Sequence, residues 1–172
     1  MLNRRELLRT LGAAAALTIV PGRAAWAWQR VAAALPLAHG LTGPQLALIA
    51  SIADAIFPRT ATPSATDVRV PAFIDVIVSE NYSDAERQAF VAGLDLIQTR
   101  VSAPADVGDV IDRIEAETDR EAEPARTYWL LKGLVVHGYF TSEAVMKDVL
   151  RVPVMPGKFD GDAPMPTRIG AR

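Results

Sequence analysis

Apolar residues recur at helical spacing through most of this chain, and no stretch alternates in the manner of a strand. From Thr42, residues Leu46, Ile49, Ala50, Ala53, Ile56 and Phe57 fall on one face, with Pro44 in the first turn and Pro58 as the stop. A loop follows, Thr60-Ala61-Thr62-Pro63-Ser64-Ala65-Thr66-Asp67. A second helix is predicted from Pro71 to Ser79, burying Phe73, Ile74, Ile77 and Val78. Ser83-Asp84-Ala85-Glu86 is a capping box, in which serine and glutamate each satisfy an orphan backbone donor. It opens a third helix with Phe90, Leu94, Ile97 and Val101 inward, ended by Pro104.

Asp106 is expected to cap a fourth helix. Its pattern is the most amphipathic in the chain: Val107, Val110, Ile111 and Ile114 inward, Asp112, Arg113, Glu115 and Glu117 outward. Pro124 introduces a fifth, from Tyr128 to about Tyr139, which has almost no polar side. Such a helix is either central to a bundle or covered by another protein. Ser142 can cap a last helix carrying Val145, Met146, Val149 and Leu150. The pattern predicts an all-α fold, a small bundle of five to six helices spanning residues 28–150.

Both ends differ from this middle. Asn3-Arg4-Arg5-Glu6-Leu7-Leu8-Arg9 places paired arginines, Arg4 and Arg5, ahead of a weakly apolar run from Leu11 to Val20. Pro21-Gly22 is expected to break that run, and Ala25-Trp26-Ala27 supplies small residues at the two positions a signal peptidase reads. Residues 1–27 therefore read as a twin-arginine signal peptide, cut after Ala27 or, as secondary positions, after Ala24 or Ala25. The run is too short to span a bilayer core, which takes about 20 residues. The expected location is periplasmic, with no direct membrane span. Residues 28–41, Ala-rich with Pro36 and Gly40, read as a loosely held leader. Residues 151–172 hold Pro153, Pro156, Pro164 and Pro166, which forbid a long helix. That tail also carries Val152, Met155 and Phe159, so it reads either as an extended arm that grips a partner or as a segment packed on its own domain.

Composition narrows the chemistry. The signal region holds four arginines against Glu6, and the remainder has 14 basic and 19 acidic side chains. A mildly acidic surface is a poor match for phosphate backbones, so no nucleic-acid partner is expected. With no cysteine, the chain has no disulfide, thiolate metal site or iron–sulfur cluster of its own. His39 lies beside Gly40 in the leader, and His137 stands late in the apolar fifth helix; their spacing fits no zinc motif. Asp106, Asp109 and Asp112 read as a solvated helix face, and Asp160-Gly161-Asp162 offers too few oxygens for calcium. Ser51, Ser79 and Ser142 lack a nucleophile elbow. No catalytic, cofactor-binding or metal residue is assigned. The twin-arginine route carries proteins already folded, which fits either a cofactor-bearing partner travelling with this chain or fast folding of the chain itself.

Several blocks together resemble a known family: Asp54-Ala55-Ile56-Phe57-Pro58-Arg59, Thr62-Pro63-Ser64-Ala65, Val70-Pro71-Ala72-Phe73-Ile74-Asp75 and His137-Gly138-Tyr139-Phe140-Thr141-Ser142-Glu143. With the twin-arginine start and Pro156-Gly157-Lys158-Phe159-Asp160-Gly161-Asp162 near the end, the order is similar to the gluconate 2-dehydrogenase subunit 3 family. These are the small (gamma) subunits of bacterial flavin-dependent sugar dehydrogenases. The resemblance implies a non-catalytic subunit paired with a large FAD-dependent flavoprotein of the glucose-methanol-choline type, often with a cytochrome c subunit for electron transfer. It further implies that the small subunit stabilises the large one and escorts it through the twin-arginine route. Trp129, His137, Tyr139, Phe140, Met155 and Phe159 are the expected partner interface. The competing readings are a free-standing exported helical binding protein and a small enzyme using His137.

Overall fold

The computed structural model of the protein describes residues 21–34, 37, 40–101 and 106–151. Among these residues all regular structure is helical. The elements are α1 (Pro21–Ala33), α2 (Gly43–Ile56), α3 (Val70–Asn81), α4 (Asp84–Arg100), α5 (Val107–Glu115) and α6 (Ala125–Thr141). A five-residue π-helical turn, Val145–Val149, follows them.

Local chemistry sets most of these ends. Gln45 turns back to accept the Thr42 amide at 3.0 Å, and Pro44 sits in the first turn of α2. Ser83 and Glu86 close the capping box of α4: Glu86 accepts the Ser83 amide at 2.8 Å, and Ser83 accepts the Glu86 amide at 3.3 Å. The Ser83 hydroxyl, donating to the Glu86 carboxylate at 2.7 Å, and then the Ser83 amide hold that carboxyl below its ordinary pKa. The inward residues expected for the third and fourth helices are buried here in α4 and α5, apart from Val101, which is half-buried just past the end of α4.

Two helices form the centre. In α3, Val70, Phe73, Ile74, Val76, Ile77, Val78 and Ser79 are all buried, so α3 is covered almost all round. The longer α6 packs against each of α1 to α5 and the π-helical turn. At Gly93 and Gly138 a side chain from the facing element lies too close to admit a Cβ. A Cβ on Gly93 would lie 1.9 Å from Thr127 Oγ1, and one on Gly138 would lie 2.8 Å from the Phe73 ring. Gly93 thus sets the approach of α4 to α6, and Gly138 that of α3 to α6.

Several expectations change. Helix α1 covers Pro21–Ala33 and runs through Ala27 and Trp28 into the region expected to be loose, while the apolar run before Pro21 lies outside the described residues. Ala24, Ala27 and Val31 are buried, and small side chains let this helix lie close to α3 and α6. Leu37 and Leu41 also pack against the core. The last helix is present but short: it starts at Glu143-Ala144, with the Met146 amide on the Ser142 carbonyl at 3.0 Å, and turns π-helical, closed by the Leu150 amide on the Val145 carbonyl at 2.8 Å. Of its apolar residues only Val145 is buried, while Val149 and Leu150 are exposed. Ser142 hydroxyl donates backwards to the Tyr139 carbonyl at 2.8 Å, so its side chain closes α6 instead of opening a new helix. Glu115, assigned to a solvated face, is drawn against Tyr128 and Lys132 of α6. Arg4, Arg5, His39, Met155 and Phe159 lie outside the described residues.

Candidate functional site

The loop between α2 and α3 is bound shut by side chains from both of its flanks. Asp54, in the last turn of α2, accepts the Thr66 amide at 2.9 Å and the Thr66 hydroxyl at 2.6 Å. Asp67 accepts the Ser64 amide at 2.8 Å, and the Ala65 amide donates to the Phe57 carbonyl at 3.1 Å. Arg59 pairs with Asp67 across the loop. The loop ends at Arg69, whose φ of 62° is left-handed and costly for a side-chain-bearing residue. Asp75 in α3 performs a similar task on the other side, accepting the Leu41 amide at 2.7 Å and the Ser79 hydroxyl at 3.2 Å.

This loop docks on the C-terminal end of α6. Phe57 stacks on Tyr139 with ring centroids 4.1 Å apart and planes nearly parallel, and the Tyr139 hydroxyl donates to the Pro63 carbonyl at 2.8 Å. Phe140 sets its ring edge-on to both Phe57 and Tyr139. Phe73 fills the space left by Gly138, with Trp28 of α1 stacked on it at 5.0 Å. The Trp28 indole N–H donates to Thr141 Oγ1 at 3.0 Å, and Thr141 in turn donates to the His137 carbonyl at 2.7 Å. The described blocks that carried the sequence resemblance, in residues 54–75 and 137–143, therefore meet in one corner.

That geometry separates the expected interface residues. Tyr139 is 4% exposed, and its ring and hydroxyl are both used inside the domain. Phe140 is 41% exposed and Val136 37%, one turn apart on the same face of α6. Val136 was not singled out from the sequence, although its four-residue spacing from Phe140 was the signal. His137 is half-buried, with its ring centroid 6.0 Å from Phe73. Burial pushes its imidazole below the ordinary pKa and favours the neutral ring.

Trp129, about three turns earlier, is half-buried beneath cations. The Arg120 guanidinium lies 4.2 Å from its ring centre and the Lys132 ammonium 5.0 Å. Beside it, the Tyr128 hydroxyl and the Lys132 ammonium converge on Glu115 Oε1, the latter at 2.6 Å. The bond from Lys132, then that from Tyr128, holds the Glu115 carboxyl below its ordinary pKa. Burial and the bond to Glu115 push the Tyr128 phenol up.

On α6 two large apolar side chains stay exposed as a ridge, Val136 and Phe140, the latter braced by the Phe57 and Tyr139 rings; Trp26, Leu96, Val149 and Leu150 are exposed elsewhere. An apolar ridge of this kind suits docking against another surface. Among the described residues, no group of three or more His, Asp or Glu is placed to hold a metal ion, and no helix is long and apolar enough to cross a membrane.

No curated protein and no solved structure gives a significant match to this chain. A family model does: Gluconate 2-dehydrogenase subunit 3 matches residues 44–157, from the start of α2 to beyond the π-helical turn. The match spans the locked loop, the aromatic corner and the exposed ridge, and the family's name is that of an accessory subunit in a dehydrogenase complex. The chain belongs to the gluconate 2-dehydrogenase subunit 3 family.

Proposed function

We propose that this chain is the non-catalytic small subunit of a periplasmic, FAD-dependent sugar or glycoside dehydrogenase. It stabilises the large flavoprotein of the glucose-methanol-choline type and escorts it through the twin-arginine route, with FAD held by the partner. A cytochrome c subunit completes electron transfer in this reading. The observation that supports it is the exposed pair Val136 and Phe140, with the Phe140 ring held edge-on by the stacked Phe57 and Tyr139. Rigid, exposed aromatic groups make strong anchors because little side-chain freedom is lost on docking.

The test is co-expression of the tagged chain with the neighbouring large-subunit gene, followed by purification and an absorbance spectrum. A yellow flavoprotein co-purifies with the unaltered chain. Val136→Glu with Phe140→Glu places two charges on the ridge and weakens that association by at least about a hundredfold, roughly 3 kcal/mol. Both side chains are partly covered, and Phe140 gives up its edge contacts to Phe57 and Tyr139, so the variant's unfolding midpoint is measured alongside; association is lost while the helical fold is kept. Arg4→Lys with Arg5→Lys leaves the complex intact but removes both chains from the periplasm. A colourless monomer in every preparation would refute the reading.

A further inference from the structure

Helix α1 crosses the peptide bond that the small residues at Ala25 and Ala27 mark for signal peptidase. On one face it buries Ala24, Ala27 and Val31, with Ala27 wholly inaccessible. Trp28, immediately after that bond, is fixed twice, by its stack on Phe73 and by its indole hydrogen bond to Thr141. Arg30 pairs with Glu80 of α3, tying down the next turn. The helix thus rests on both central elements, α3 and α6. It lies N-terminal to the region matched by the family model, so this docking is an addition to what the family match describes.

A protease must draw several residues into extended form to cut between them. A bond inside a docked helix is reached only through local opening, at a rate scaled by the open fraction. Here opening would withdraw Ala27 and Trp28 from the core together. Cutting after Ala27 would also strand Ala24 and leave a six-residue stub, Trp28–Ala33, too short to hold as a helix.

We propose that α1 is a permanent helix of the finished protein, and that its docking shields the bond after Ala27 from signal peptidase. Any trimming of the leader falls before Ala24. The proposal rests on the twin-arginine reading, because only a chain exported folded meets the peptidase with α1 already seated. The shielding itself is a property of this chain alone, and is tested without the flavoprotein.

Full-length chain in native buffer is incubated with detergent-solubilised signal peptidase, beside a synthetic peptide of residues 1–34, and products are read by intact mass. In the folded chain, cleavage after Ala27 is expected to be at least about tenfold slower than in the peptide. Equal rates would overturn the proposal. Ala24→Glu with Trp28→Ala unseats α1 and leaves Ala25 and Ala27 in place, and it is expected to restore the peptide's rate. A variant cut no faster than the parent would show that burial is not the shield, and would also overturn it. Failure of the escort reading appears elsewhere, as a flavoprotein that does not co-purify.

Discussion

At its N-terminal end α6 buries Tyr128 and sets Trp129 under the Arg120 guanidinium and beside the Lys132 ammonium. About 10–16 Å further along the helix, Val136 and Phe140 are exposed, Phe140 over the stacked Phe57 and Tyr139 rings. Both ends are apolar in sequence, and both carry aromatic groups. They differ in what arrives from elsewhere in the chain. The first end receives Arg120 and Glu115, long polar side chains whose stems and charges cover its aromatic surface without a second protein. The other receives Phe57 and the locked loop, which stiffen the surface from beneath and leave its top bare. An aromatic residue on a helix is therefore weak evidence of an interface until its cover is known.

The comparison is broken most sharply by charging the bare end. Val136→Glu with Phe140→Glu is expected to abolish flavoprotein co-purification, whereas Trp129→Ala leaves it within about threefold. If Trp129→Ala were the more damaging to co-purification, the two ends would have to exchange roles. The next largest effect is on stability. Gly138→Val drives a side chain into the Phe73 ring, which is fully buried and held from its other side by Trp28. Phe73 can retreat only by displacing the half-buried Trp28, so the overlap costs about 2 kcal/mol, read as a lowered midpoint in urea unfolding. With Trp26 and Trp129 replaced by Phe, Trp28 fluorescence should shift red as α1 loosens, ahead of the global transition.

Periodicity foretold α2 to α6, because those elements carry their evidence within a few residues: a proline, a capping box, a clean apolar stripe; Asp106 stands at the N-cap of α5, but its side chain makes no capping hydrogen bond there. Helix α1 was hidden for a physical reason. Its buried face is made of Ala24, Ala27 and Val31, weak in hydropathy, and it gains its place by close approach to α3 and α6. The burial of Tyr139 was not legible locally, because the partner of its hydroxyl, the Pro63 carbonyl, lies 76 residues away. Phe140 needed no distant partner to be noticed. Local pattern also could not tell whether the Ser142 hydroxyl would serve the helix before it or the one after it; the Tyr139 carbonyl at 2.8 Å decided that. Glu115 looked like one more solvated acid until α6 crossed above it.

That crossing gives the smallest effect, and the one that tells charge from shape at the covered end. Glu115 is about one-third exposed and Lys132 similarly so, which limits the pair to about 0.5–1 kcal/mol after screening. The carboxyl is held below its ordinary value of 4.5 by Lys132 first and Tyr128 second. A depressed carboxylate contributes stability that is complete above the ordinary pKa and is lost as pH falls through the folded value. Glu115→Gln keeps the size of the side chain and removes the charge. Its cost at neutral pH should therefore shrink towards zero as both proteins are titrated below the ordinary carboxylate range. Tyr128 does not disturb this window, since burial raises its phenol and keeps it a donor throughout. If the difference between the two proteins instead persists in acid, Glu115 acts by hydrogen-bond geometry alone, and the cover over Trp129 is held by Arg120 without help from the charge beneath.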